Sequence, residues 1–314
     1  MLKHRYFTIS IIAILLVALI GQVYAATSPT FGASGSYSVL AGTTVTNTGP
    51  TVIDGDVGVS PGSAVDGFPP GIVNLPYTIH EGDGSAANAQ LDNTALFLAL
   101  SAGDNATCTV DYGAVTEDLA GKTLVPGVYC ADAFTLSGTL TLDDASVDDV
   151  WIFISELSTL NTDDGVGATV EFLNGIASVC NVWWKVASSA TIGTGTTFIG
   201  NILALTSIDL DTNASLEGRA FAQNGAVTLD SNTIGAPICL AEAAPVPTAT
   251  PRRTAVPDNE DEEEGSGLPA FPGTGSGAPI FNEISSWTLF IIAGILAIAL
   301  LVGGRSLRRN SRSK

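Results

Sequence analysis

Between residues 33 and 239 the chain sets short runs of Thr, Ser, Val, Leu, Ile and Ala between single Gly, Asn or Asp residues. Runs of that length, bounded by turn formers, predict strands. Thr44-Val45-Thr46-Asn47-Thr48 alternates, which puts its three threonines on one side of a strand. Further strands are predicted at 124–129, 136–142, 150–154, 169–173, 182–186, 197–203, 219–222 and 226–229. Of these, 150–154 is apolar at every position. Residues 55–62 and 67–71 read as tight corners, with Gly supplying unusual backbone angles and Pro fixing others. Strands about 10–20 residues apart suit a β-solenoid or a sandwich, and the spacing is too irregular for a hexapeptide or nonapeptide repeat. One helix interrupts the series at 85–102, free of Gly and Pro and preceded by Asp83-Gly84. Ala89, Leu96 and Leu100, supported by Ala86 and Phe97, give it one apolar face for packing against a core.

The two ends follow other patterns. Lys3 and Arg5 precede an apolar run at 7–20, and Val23 and Ala25 fit the −3 and −1 positions of a signal-peptidase site, so 1–25 reads as a signal peptide. A retained N-terminal anchor is the alternative, against which the shortness of the apolar run counts. Residues 241–285 are rich in Ala, Pro, Thr and Gly, with an acidic cluster at 258–264, and read as a disordered stalk. An apolar helix at 286–303 follows, then a basic tail at 304–314 carrying Arg305, Arg308, Arg309, Arg312 and Lys314. By the positive-inside rule that tail stays cytoplasmic, which places the strand-rich region outside the cell, anchored to the membrane or wall. Phe271-Pro272-Gly273-Thr274-Gly275 resembles a cell-wall sorting signal, with Phe where Leu is usual. The resemblance implies a sortase as partner and attachment through Thr274; a flexible linker before a permanent membrane helix is the other reading.

Charge narrows the partners. Residues 27–240 hold 23 acidic residues against Lys122, Lys185 and Arg219, which repels nucleic acid and anionic lipid. Four cysteines in an exported region, with no CxxC among them, suggest two disulfides. Three connectivities are open, and we favour Cys108–Cys130 with Cys180–Cys239. Zinc-ligand spacing is absent, the histidines being His4 and His80, and no cofactor or metal is expected. Nor does an EF-hand type calcium loop occur. Asn105-Ala106-Thr107 and Asn213-Ala214-Ser215 fit the glycosylation sequon.

Several motifs, taken in order, carry a resemblance: 55–62, then 124–129, then Cys180-Asn181-Val182-Trp183-Trp184-Lys185-Val186, then Gly218-Arg219-Ala220 and Gly225-Ala226-Val227-Thr228-Leu229. Together they resemble the microbial ice-binding-protein-like family over about 33–239. The resemblance implies a mainly β fold, a discontinuous right-handed β-solenoid with one long helix alongside. It also implies adsorption to ice through one flat face. Such a face needs no pocket: rungs repeat at ~4.8 Å and i, i+2 side chains at ~6.8 Å, so hydroxyls and methyls form a planar array. Threonine suits it, since its branched Cβ restricts χ1.

Thr194-Gly195-Thr196-Thr197 matches the family's Thr-(Ala/Gly)-x-(Thr/Asn) signature, and Thr212-Asn213-Ala214-Ser215 matches loosely. The expected face draws on Thr139, Thr141, Thr162, Thr169, Thr191, Thr194, Thr196, Thr212, Ser215, Thr228 and Thr233. Asp143-Asp144, Asp148-Asp149, Asp163-Asp164 and Asp209-x-Asp211 put charge at the corners and oppose ice adsorption if they lie on the flat face, because hydrated carboxylates hold water out of an ice arrangement. They favour the alternative, a surface adhesion or structural module that binds glycan or envelope polymers. An enzyme is not expected: adjacent carboxylates on a strand point to opposite sides, and His80 lacks an evident partner in the sequence.

Overall fold

The computed structural model describes residues 25–163, 167–235 and 239. The expected signal peptide up to residue 24, the stalk, the anchor helix, the basic tail and the pentapeptide Phe271–Gly275 lie outside the described residues, as does Asp164. Among the described residues no helix is long and apolar enough to cross a membrane.

The strands pair in parallel, each with its equivalent one turn of chain away. The chain therefore coils, laying about one strand per turn on each of three sides. Side one is an eight-stranded sheet in the order Ala64–Asp66, Thr44–Thr48, Val227–Asp230, Ile208–Leu210, Ala190–Ile192, Leu160–Thr162, Ala133–Leu136, Thr116–Asp118. Eight rungs span about 34 Å at the usual strand spacing. Side two holds Thr123–Leu124, Thr139–Leu142, Thr169–Phe172, Thr233–Gly235, Val52–Asp54 and Ile72–Val73, together with the first halves of Thr197–Ala204 and Ser215–Ala222. The second halves of those two long strands turn onto side three, beside Val182–Val186, Trp151–Ser155 and Tyr37–Ala41. Gly218 makes that bend, with φ +151° and its Cα so close to Gly200 O that a Cβ would meet it at 1.9 Å.

The chain does not wind from one end to the other. It starts one rung in, at 37–54, makes the terminal rung at 56–81, and then runs back along side three as helix α1, Gly84–Ala99. It resumes at the far end with Val110–Asp111 and coils back until Ser215–Ala222, Val227–Asp230 and Thr233–Gly235 fit against the first strands.

Helix α1 is capped by Asp83, whose carboxylate accepts from Ala86 N at 2.9 Å. It ends before the expected residue 102, because Ser101 and Ala102 donate to Leu98 O and Ala99 O in a tighter turn leading to Gly103 at φ +60°. Ala89, Leu96 and Leu100 pack on Leu40, Cys130, Ile154, Leu203 and Phe221, so side three is covered. Phe31 adds to the cover by stacking on Trp183 at 4.8 Å between ring centres. Within the coil, Tyr129 stacks on Phe153 and Phe153 on Trp184, with Phe198 tilted against Trp184.

Two expected strands are each two strands on different sides. Residues 136–142 break at Ser137-Gly138, where Asp118 accepts from both Ser137 N and Ser137 Oγ and turns the chain. Residues 124–129 break at Val125-Pro126, since proline has no N–H for the ladder. The cysteines pair as Cys108–Cys130 and Cys180–Cys239.

Candidate functional site

With side three covered, sides one and two are open to solvent. On side one the inward residues alternate with outward ones, and the outward ones stand in register. One column reads Asp66, Thr46, Thr228, Asp209, Thr191, Asn161, Thr135, Asp118. Two residues back along each interior strand stand Thr44, Ala226, Ser207, Ser189, Thr159 and Ala133. Backbone bonds from Ala190 N to Ser207 O and from Leu160 N to Ser189 O carry this second column between rungs. Twelve interior positions thus form two parallel columns of small residues, interrupted by one charge, Asp209, with Ala133 buried. No cavity is involved.

Side two carries a narrower ladder. Thr139, Thr169, Thr197, Ser215 and Thr233 lie in register, continued by Val52 and Ile72. Its neighbouring column is mixed: Thr141 pairs with Glu171, and Glu217 with Gly235, which pairs with Asp54. Three exposed carboxylates therefore flank these hydroxyls.

The corner between the two sides is a stack of left-handed turns. Gly195, Asn213, Ser231 and Gly49 have φ of +70°, +61°, +57° and +81°, and the N–H groups of Gly195, Asn213 and Ser231 each donate to the next rung's carbonyl. Thr194, Gly195 and Thr196 of the Thr194-Gly195-Thr196-Thr197 motif form one of these turns, and Thr197 begins the side-two strand. Thr194 and Thr212 sit in turns, with the Thr212 hydroxyl donating to Asp230. Thr162 and Thr196, at 7% and 0% exposure, point inward, hydroxyl to hydroxyl at 2.9 Å, and Thr162 also accepts from Gly193 N. They satisfy each other and the turn, so they offer nothing to an external ligand.

The eleven expected hydroxyl residues are therefore dispersed. Thr191 and Thr228 stand on side one. Thr139, Thr141, Thr169, Ser215 and Thr233 stand on side two. Thr46, which the alternation of 44–48 already set on one side of a strand with Thr44, is joined on side one by Thr135, Asn161 and Ser189, which the sequence did not single out.

The acidic pairs separate as well. Asp144 is buried and accepts from the backbone N–H groups of Asn174, Ile176 and Ala177. Burial alone would raise its pKa, but these donors hold the carboxyl down at about 2. It is a loop staple, as is Asp149, which accepts from Ala145 N and Ser146 N. His80 does have partners: Nδ1 lies 2.7 Å from Asp83 Oδ2 and Nε2 3.1 Å from Thr78 Oγ1. Because the same Asp83 caps α1, this cluster fastens the helix start.

Residues 39–235, the whole of the coil bearing these columns, match the family model described as ice-binding-like. This chain belongs to the ice-binding-like family. An ice-binding protein of Nostoc sp. (strain HG1) is 44% identical over 216 residues, which cover 68% of this chain and 76% of that one. An ice-binding protein of Flavobacterium frigoris (strain PS1) is 31% identical over 216 residues, covering 66% and 75%. The crystal structure of an ice-binding protein from the Antarctic ascomycete Antarctomyces psychrotrophicus superimposes with a TM-score of 0.61 at 38% identity, covering 67% of this chain and 99% of that chain. A crystal structure of an ice-binding protein from an Antarctic biological consortium gives 0.61 at 39%, covering 68% and 93%. Mainly β architecture with parallel sheets and a single long helix is thus shared with these family members.

Proposed function

We propose that this member of the ice-binding-like family adsorbs to ice through side one. The observation that carries the reading is the register of that sheet: Thr46 and Thr228 on one part, Thr191, Asn161 and Thr135 on the other, with a second column of Thr, Ser and Ala beside them. Spacings of ~4.8 Å across rungs and ~6.8 Å along strands hold ordered surface water on a plane. Side two is less suited, because Glu171, Glu217 and Asp54 border its ladder. Binding is a sum of many weak contacts, which is why no pocket, metal or catalytic set is called for, and we read the chain as a binding protein and not an enzyme. Parallel crossovers are right-handed with few exceptions, which supports a right-handed discontinuous solenoid.

The test uses residues 26–240, a fair unit because a solved relative consists almost wholly of the matched region. Thermal hysteresis and inhibition of ice recrystallisation are expected, and replacing Thr191 by Tyr is expected to reduce both strongly. Loss on replacing Thr169 instead, with Thr191 dispensable, would move the site to side two.

The carboxylates of side two favour a second reading, a surface adhesion or structural module that holds glycan or envelope polymers there. Retention on polysaccharide arrays without any effect on ice would select it. We further propose that the protein is exported and held at the cell surface. The apolar run with Val23 and Ala25 supports export, and the apolar segment with its basic tail supports a membrane or envelope anchor. Phe271–Gly275 supports a sortase as the anchoring partner. Fractionation of cells with an antibody to the coil, with and without sortase, checks this.

A further inference from the structure

We propose that Asp209 is the residue that limits how strongly side one holds ice. The proposal rests on side one being the contact face. Asp209 stands in register between Thr228 and Thr191, in the middle of the outward column. Of the other carboxylates near this face, Asp66 stands at the outer end of the column, beyond the interior positions. Asp118, at the end of the column, turns the chain at Ser137, and Asp230, at the corner, accepts from Thr212 and Ser231. The Asp209 carboxylate makes no hydrogen bond or ion pair among the described residues, and it is partly exposed.

An ionised carboxylate gives up its hydration shell only at a large cost unless a partner replaces it, and a crystal plane of water supplies none. Its shell therefore disturbs the sites one rung away on either side. The neutral lattice is divided into a smaller patch around Thr44, Thr46 and Thr228 and a larger one around Thr191, Asn161 and Thr135. Rigidly linked patches that bind together gain far more than either alone, and that gain is lost when they cannot engage at once. Threonine at 209 would join them into one array across six rungs, and its branched Cβ suits a strand at least as well as aspartate.

The experiment compares Asp209→Thr, Asp209→Asn, Asp209→Glu and Thr191→Asp with the parent in residues 26–240, after circular dichroism has confirmed that each is folded. Thermal hysteresis at equal concentration should rise roughly twofold or more in Asp209→Thr and Asp209→Asn, stay near the parent in Asp209→Glu, and collapse in Thr191→Asp. Folded Asp209→Thr and Asp209→Asn at or below the parent, with Thr191→Asp collapsed, would overturn the role of Asp209 and leave side one standing. An unchanged Thr191→Asp would overturn side one itself. No activity in the parent with activity in Asp209→Thr would support the proposal in its strongest form, and none in any of them would sink both.

Discussion

At the scale of single residues, sequence shows chemistry more readily than placement. Charge would set Asp143-Asp144 against an ice face only if they stood on it, and Asp144 is inside, serving three backbone donors. Its low pKa makes a defined prediction. The folded state keeps this carboxyl ionised down to about 2, while an unfolded chain protonates it near the ordinary 3.8. Between those values the unfolded state binds more protons, so stability falls as pH drops through this window. Asp144→Asn should flatten that fall, measured as melting temperature against pH from 5 to 2, and an unchanged acid slope would refute it. Gly218 makes a second prediction. Any Cβ there is strained at φ +151° and runs into Gly200 O, so Gly218→Ala should cost about 1–3 kcal/mol or more in denaturant melts.

At the scale of elements, alternation shows which side chains share a side of one strand, as at 44–48, but not which of three sides that strand occupies. Thr139 and Thr135 lie on different sides because of one corner at Ser137-Gly138. The legible signal for corners was a local repeat: Asn201 and Arg219, and likewise Thr212 and Asp230, meet across rungs 18 residues apart. Stepping by that interval through Gly195, Asn213 and Ser231 finds the turns. The helix was legible because Ala89, Leu96 and Leu100 keep one period and Asp83 caps it. Leu96 is 2% exposed, so Leu96→Ala should cost about 2–5 kcal/mol in chemical denaturation, leaving sides one and two unaltered. Cross-links behave by their span. Cys180–Cys239 closes 59 residues and Cys108–Cys130 closes 22, so removing the first by paired Cys→Ser changes should cost about 1 kcal/mol more than removing the second.

The whole coil holds what no local pattern could show: its first and last strands are neighbours. Thr46 stands beside Thr228 because the last rung of the coil docks against the first strands, and nothing in either segment announces the other. The consequence is mechanical. Residues 25–102 contribute Tyr37–Ala41, Thr44–Thr48 and Val52–Asp54, which pair with Ser215–Ala222, Val227–Asp230 and Thr233–Gly235, and also α1, which seals side three. Both disulfides lie within residues 108–239, so no covalent bond other than the backbone joins the two parts. A protein cut after Ala102 should therefore stay in one piece, its halves held by three parallel strand pairs and the buried stripe of the helix. Size-exclusion chromatography of the nicked chain should show a single peak that separates only in denaturant. Deleting 25–54 should act oppositely, since it leaves the rung at 215–235 with an open edge and strands the terminal rung. Unfolding should then become non-cooperative or the chain should aggregate, as bare parallel edges do. Halves that part in native buffer would mean that the closure between first and last strands contributes little, and that the far rungs fold on their own.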